Sequence, residues 1–200
     1  MAILSDRDAA RWHRLAGAVA AIVEPRLSSS VLANRAVGPR PSWRLAPFRP
    51  ALAQARRLAR ALPGPVILRT DVAEFYPSVR PAVLFDALGR LGVPAEVAWA
   101  VADLVEGWGS EGSFGLPIGP PGSAVMANAV LASADGALAR RPFLRWVDDY
   151  LVSTPGGRGA EDTLDRLHDA LGRLGLRLAP SKTGFLEPGP GVGWLCASGG

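Results

Sequence analysis

Three carboxylates carry the chemical interest of this 200-residue chain: Asp71, Asp148 and Asp149. Asp148 and Asp149 are adjacent, set between the runs Phe-Leu-Arg-Trp-Val and Tyr-Leu-Val. Neighbouring carboxylates repel each other, and apolar surroundings disfavour both charges. Asp71 ends another apolar run, Val-Ile-Leu-Arg-Thr, much earlier in the chain. If adjacent strands bring the three together, a hard divalent cation is the natural neutraliser, Mg²⁺ being the usual one. An ion held by one or two carboxylates keeps positions open for substrate phosphates, and a pair of ions clamps the attacking and leaving oxygens of an in-line transfer. Taken alone, Asp148-Asp149 reads better as an ordinary polar turn, with Asp71 as a helix cap.

The elements that must position them can be read from periodicity. Residues 6–23 predict an amphipathic helix, and 36–50, with four prolines, a loop or irregular lobe. A helix is expected over 51–61, carrying Arg56, Arg57 and Arg60, and a buried strand from Val66 ending at Thr70-Asp71. Ser78 is the expected cap of the next helix, with Pro81 in its first turn. Further helices are expected from Pro94 to about Trp108 and over 123–139, the second made largely of small residues, with a Gly- and Pro-rich loop between. Residues 144–152 predict two short strands with an Asp-Asp corner at the hairpin tip. A helix follows on the face of Leu164, Leu167, Leu171 and Leu174, then a strand over 176–178 and a final hairpin at 185–186 and 192–196. The order fits an α+β domain, an antiparallel sheet backed by helices.

Net charge is only +4, yet it is unevenly spread. Residues 1–70 hold 12 arginines against three acids, a net of +9, and the remainder carries a net of −5. A basic lobe on an acidic body suggests a polyanion for the first and a cation or solvated faces for the second. Cys196 is the sole cysteine, which excludes an internal disulfide and fits a reducing compartment. The apolar run 15–23 is too short to cross a bilayer, and the N-terminus lacks a basic signal-peptide start. A cytoplasmic protein with no membrane partner is the expectation. Lys182 is the only lysine in an arginine-rich chain.

Several segments, in order, resemble the motifs of reverse transcriptases. Val-Ile-Leu-Arg-Thr-Asp-Val-Ala-Glu-Phe-Tyr-Pro-Ser-Val (66–79) resembles motif A, and Gly-Leu-Pro-Ile-Gly-Pro-Pro-Gly-Ser-Ala-Val-Met-Ala-Asn (115–128) motif B. Trp-Val-Asp-Asp (146–149) resembles motif C, Gly-Leu-Arg-Leu-Ala-Pro-Ser-Lys-Thr (175–183) motif D, and Gly193-Trp194-Leu195 a degenerate motif E, the primer grip. The resemblance covers about residues 66–196. It implies a polymerase palm over 71–200, with part of the fingers between motifs A and B, and a basic helical fingers lobe over 1–70.

By that resemblance Asp71 and Asp148 bind both catalytic Mg²⁺ ions (Mn²⁺ being a substitute), Asp149 supports them, and Val72 offers a backbone carbonyl. Tyr76 falls at the steric-gate position, where its ring would fill the space of a ribose 2′-hydroxyl and favour deoxynucleotides. Gly119 and Gly122 give the motif B loop freedom to track template and incoming base, and Ser123 and Asn128 flank the nucleotide, although Ser123 also reads as an N-cap. Lys182 matches the motif D lysine that protonates or neutralises pyrophosphate; unlike arginine it can give up a proton. Arg35 and Arg44 are candidates for binding phosphates, Trp146 lies under the primer end, and Gly193 and Trp194 grip the primer. Trp43 reads as lobe packing rather than base stacking.

The implied activity is RNA-directed DNA synthesis from a primer 3′-OH, with an RNA template, a DNA or RNA primer and dNTPs as partners. Ile118 departs from the glutamine commonest at its position. Hydrophobic residues there resemble retron- and abortive-infection-like bacterial enzymes, which points to phage defence or a retroelement. The same departure keeps open a template-independent or protein-primed DNA polymerase, and an RNA-binding scaffold with the same fold remains a further alternative. Tyr76 and the Ser123–Asn128 spacing argue against an RNA polymerase of viral type. No thumb is visible after motif E, so the expectation is a grip supplied by a structured noncoding RNA or a protein, or else short products or a fragmentary copy.

Overall fold

The computed structural model describes residues 5–109 and 115–192. Of the second arm expected at 192–196, Val192 is described and is not in a strand, and the rest, with Gly193 and Trp194, lies outside the described residues. The chain forms two compact units, each assembled from separated segments: 1–27, 34–46 and 74–132 in one, and 28–33, 47–73 and 133–200 in the other.

The first unit is built on helices. Helix α1 (Asp6–Val23) starts where the Ser5 hydroxyl accepts the Asp8 amide, and Asp6 and Asp8 sit against the positive end of the helix dipole. Trp12, Ala16, Val19, Ala20 and Val23 recur at helical spacing and are its buried stripe. Trp12 meets Trp108 edge to face, ring centroids 5.1 Å apart. Trp108 follows α5 (Ala95–Gly107), which packs beside α4 (Pro81–Arg90). Ser78 does not cap α4. It ends the short helix α3 (Phe75–Ser78), and Arg80 takes the cap position, because Pro81 at the first helical position fixes the start. The segment expected as loop contains a minimal antiparallel pair, β1 (Ala36–Val37) with β2 (Arg44–Leu45). Helix α6 (Pro121–Ala137) begins two residues before the expected Ser123, again on a proline. Ser123 is therefore inside its first turn rather than at the cap.

The second unit carries a four-stranded antiparallel sheet in the order β4-β5-β3-β6. Its strands are β3 (Val66–Asp71), β4 (Phe143–Trp146), β5 (Asp149–Thr154) and β6 (Gly184–Leu186). Strand β6 pairs with β3, so the 185–186 segment joins the main sheet. Residues 176–178 make only a bridge, Leu178 to Val72. One sheet face, with Ile67, Leu144, Trp146 and Leu151, packs with Ala55 and Ala59 of helix α2 (Phe48–Arg60) in one core cluster. That helix begins three residues earlier than expected. Pro50 is tolerated because a first-turn amide has no intrahelical acceptor to lose. Helix α7 (Arg158–Gly172) lies against β3 and β5 and buries Thr163, Leu167 and Leu171.

Candidate active site

The register of β3 on β5 brings the carboxylates together. Asp71 is the direct cross-strand partner of Asp149, and Asp149 is in turn the partner of Trp146. Side chains alternate across a sheet, so Asp71, Asp149 and Trp146 share a face, and Thr70, Tyr150 and Arg145 the other. The hairpin tip is Val147-Asp148, not the Asp-Asp pair: Asp149 already belongs to β5. Pairing Trp146 with Asp149 leaves two loop residues, the shortest common hairpin loop. Val147 takes a positive φ of 59°, poorly suited to a β-branched residue and costing about 1–3 kcal/mol. The Val72 amide donates to the Asp148 carbonyl at 3.2 Å, tying the tip to the end of β3.

Beyond Asp71 the backbone is held by residues of the 175–183 segment. The Ala179 amide donates to the Asp71 carbonyl, and the Ala73 amide to that of Arg177, each at 2.8 Å. The Thr70 and Thr183 hydroxyls meet at 2.7 Å. A 3-10 turn, Pro180–Lys182, then presents Lys182, whose ammonium donates to Asp71 Oδ1 at 3.1 Å.

The electrostatics follow from this crowding. Burial, then the charge of Asp71, raise the Asp148 carboxyl from its ordinary 3.8 to about 6, against smaller help from Lys182 and Arg145. Asp71 raises the Lys182 pKa, first by the hydrogen bond and then by its charge, with Asp148 and Asp149 adding to it. Among the described residues, no three His, Cys, Asp or Glu side chains converge closely enough to hold an ion as they stand. The donor set nevertheless fits a hard cation. The oxygens of Asp71 and Asp148 are mutually repelling, and Asp71 already takes a positive group, the Lys182 ammonium, in its lone-pair space. Asp149 is 1 % exposed, so it offers little surface to an arriving ion.

Three residues of this unit have no counterpart among the expected site residues. Arg145, fully buried in β4, donates its Nε and Nη2 to the two oxygens of Asp135 at 2.8 and 2.7 Å, and its Nη1 to the Val147 carbonyl at 2.8 Å. Burial, the largest single effect, opposes that charge, but Asp135, Tyr150 and Asp148 together hold the Arg145 pKa above its ordinary value. Asp135 is the one charged residue of α6, and Arg145 the one basic residue between Phe143 and Thr154. A lone acid and a lone base in neighbouring apolar elements was the available signal. Phe48, 64 % exposed at the start of α2, meets the Trp146 ring edge to face at 5.6 Å.

The remaining expected residues lie in the first unit. Tyr76 is half-buried against Phe75, ring centroids 5.4 Å apart. Its carbonyl accepts the Leu116 amide at 2.8 Å, and Gly115 lies so close that a Cβ there would collide with the Tyr76-Pro77 backbone. Gly119 holds a φ of +117°, a conformation glycine supplies at no steric cost. Ser123 is buried, and among the described residues its hydroxyl has no hydrogen-bond partner. Buried Asn128 donates to the Asn34 carbonyl at 3.2 Å. The Arg35 guanidinium is engaged with Glu24, at 2.7 Å to a carboxylate oxygen and 3.2 Å to the carbonyl, so a phosphate there would compete with an ion pair. Arg44 is exposed on β2. Trp43 packs within the unit, stacked on His13 at 4.7 Å and donating to the His13 carbonyl.

The family model described as reverse transcriptase (RNA-dependent DNA polymerase) matches residues 18–195. The chain belongs to the reverse transcriptase family. No curated protein matches it significantly. Membership makes this a nucleotidyltransferase-type domain with a palm-like sheet, of a family that works on nucleic-acid templates and nucleotides and uses divalent metal ions. No helix among the described residues of this reverse transcriptase domain is long and apolar enough to cross a membrane.

Proposed function

We propose that this chain is an RNA-directed DNA polymerase that extends a primer 3′-OH with deoxynucleotides. The observation that carries the reading is the pairing of Asp71 with Asp149, which sets Asp71 beside the Asp148 hairpin tip. Asp71 and Asp148 would hold divalent ions, Mg²⁺ by preference, with the Val72 carbonyl and Asp149 in support. Such ions, when bound, supply electrophilic activation and charge neutralisation for phosphoryl transfer. Lys182, charged and half-exposed, would yield Asp71 Oδ1 to a bound divalent ion. Its ammonium would then protonate the departing pyrophosphate oxygen or neutralise its negative charge. The Tyr76 ring excludes a ribose 2′-hydroxyl, and Gly119, Ser123 and Asn128 shape the nucleotide site. Arg44 and, on release from Glu24, Arg35 meet phosphates. Trp146, with Gly193 and Trp194, supports the primer end. The domain division at residue 70 belongs to the same reading.

Ile118 is 61 % exposed on the motif B loop, where the family favours glutamine. An apolar group in that place favours a second reading, template-independent or protein-primed synthesis in phage defence. One experiment separates the two. The protein is incubated with an RNA template, a DNA primer and labelled dNTPs, with Asp148→Ala in parallel. Template-dependent extension, reduced at least on the order of 10²–10³-fold in Asp148→Ala, is expected, because a group stabilising transition-state charge is worth that much. Incorporation without template would move the assignment to the second reading. No incorporation with Mg²⁺ or Mn²⁺ would leave only the scaffold alternative.

A further inference from the structure

The buried trio Arg145, Asp135 and Tyr150 plays no part in the chemistry above. A guanidinium shut away from water is costly, and apolar residues of similar volume usually serve stability as well or better. Its presence calls for something that only its geometry supplies. The planar fork is fixed by two bonds to Asp135, whose Oδ1 also accepts the Tyr150 hydroxyl at 3.0 Å. With the fork fixed, Nη1 is aimed at the loop and donates to the Val147 carbonyl at 2.8 Å. Val147 is the loop residue with the unfavourable positive φ, and Asp148 is the next residue. On its other side the loop is held by the Val72 amide on the Asp148 carbonyl. Arg145 and Tyr150 lie on the sheet face opposite Asp71 and Asp149. The trio therefore acts on the loop and not on substrate.

We propose that Arg145, locked by Asp135 and Tyr150, is the positioning residue that fixes the β4–β5 loop and so sets where the Asp148 carboxylate stands against Asp71. The proposal rests on the nucleotidyl-transfer reading above, since it concerns the same carboxylates. Lysine cannot replace Arg145, because a single ammonium cannot hold both carboxylate oxygens in a plane and also reach the carbonyl.

The test compares Arg145→Lys and Tyr150→Phe with Val101→Ala, a core truncation in α5 outside the site. Mn²⁺ affinity is read from the paramagnetic resonance of the free ion, loop order from hydrogen exchange at the Val72 amide, and folding from thermal melts. Arg145→Lys is expected to weaken Mn²⁺ binding on the order of tenfold or more, as loss of a group orienting a metal ligand does. It should also speed exchange at Val72, with Tyr150→Phe following in the same direction. Val101→Ala should melt earlier and change neither. Equal behaviour of Arg145→Lys and Val101→Ala in both measurements would overturn the proposal. If Arg145→Lys does not fold, Tyr150→Phe decides by the same two measurements. Should Asp148→Asn leave Mn²⁺ affinity unchanged, the metal-site reading fails, and exchange at Val72 still decides the positioning role.

Discussion

At the scale of single residues, the carboxylates were legible because each breaks an apolar run. Asp71 closes a strand pattern, and Asp148-Asp149 interrupts another, so both announce themselves in one dimension. Asp135 and Arg145 do not. Each is locally an oddity in an apolar element, and their meaning lies in a pairing that only the fold creates. Arg35 shows the converse. An arginine in a basic lobe reads as free for phosphate, whereas its partner Glu24 lies eleven residues away and is invisible to composition. Tyr76 carries the sharpest single-residue prediction. Tyr76→Ala removes the ring proposed to fill the space of a 2′-hydroxyl, so discrimination between dNTPs and rNTPs should fall on the order of tenfold or more. Steric rejection of one small group is worth about 1–3 kcal/mol. The ratio of kcat/KM for matched dNTP and rNTP checks it. An unchanged ratio would return Tyr76 to the role of a packing partner of Phe75.

Elements were legible where the apolar period was long and misplaced where proline or a short loop set the boundary. The 6–23 helix and the 66–71 strand come directly from periodicity. The starts of α2, α4 and α6 were each shifted by a few residues because a first-turn proline extends or fixes a helix that pattern alone begins elsewhere. Helix α2 has a second property that sequence counts only as charge. Arg49, Arg56 and Arg60, spaced by seven and four, fall on one exposed stripe, with Arg57 beside it and no acid in the helix. Ala55 and Ala59 hold the opposite side to the sheet. A stripe of this kind suits a phosphate backbone, and Phe48 at the helix start adds an exposed ring. The double change Arg56→Ala and Arg60→Ala should weaken binding of an RNA–DNA hybrid while the protein still folds. It should also lower the slope of log affinity against log salt by roughly one to two, about one for each phosphate no longer neutralised. Fluorescence anisotropy across a salt series measures it. An unaltered slope would make the stripe an ordinary solvated face.

For the molecule as a whole, the carboxylate cluster links stability, pH and divalent ions. Asp148 titrates at about 6 in the folded protein, against an ordinary 3.8, because burial and Asp71 both disfavour its charge. The fold therefore favours the protonated form. That contribution is complete below pH 3.8 and is lost as pH rises through 6, an amount at most on the order of 3 kcal/mol. Metal-free protein should accordingly lose thermal stability across this window. Lys182, its pKa raised, stays charged throughout and partly screens the cluster. A divalent ion binds only the ionised carboxylates. Mg²⁺ should thus raise Tm clearly at about pH 7.5 and little at about pH 5, with uptake of the ion releasing a proton near pH 6. Asp148→Asn removes the titrating group while keeping its shape. It should flatten the loss of Tm between about pH 4 and 6.5 and abolish most of the Mg²⁺ effect. Thermal melts of both proteins over that range, with and without the ion, decide the matter. A Mg²⁺ effect equal at the two ends of the range, or retained in Asp148→Asn, would place the ion somewhere other than this hairpin.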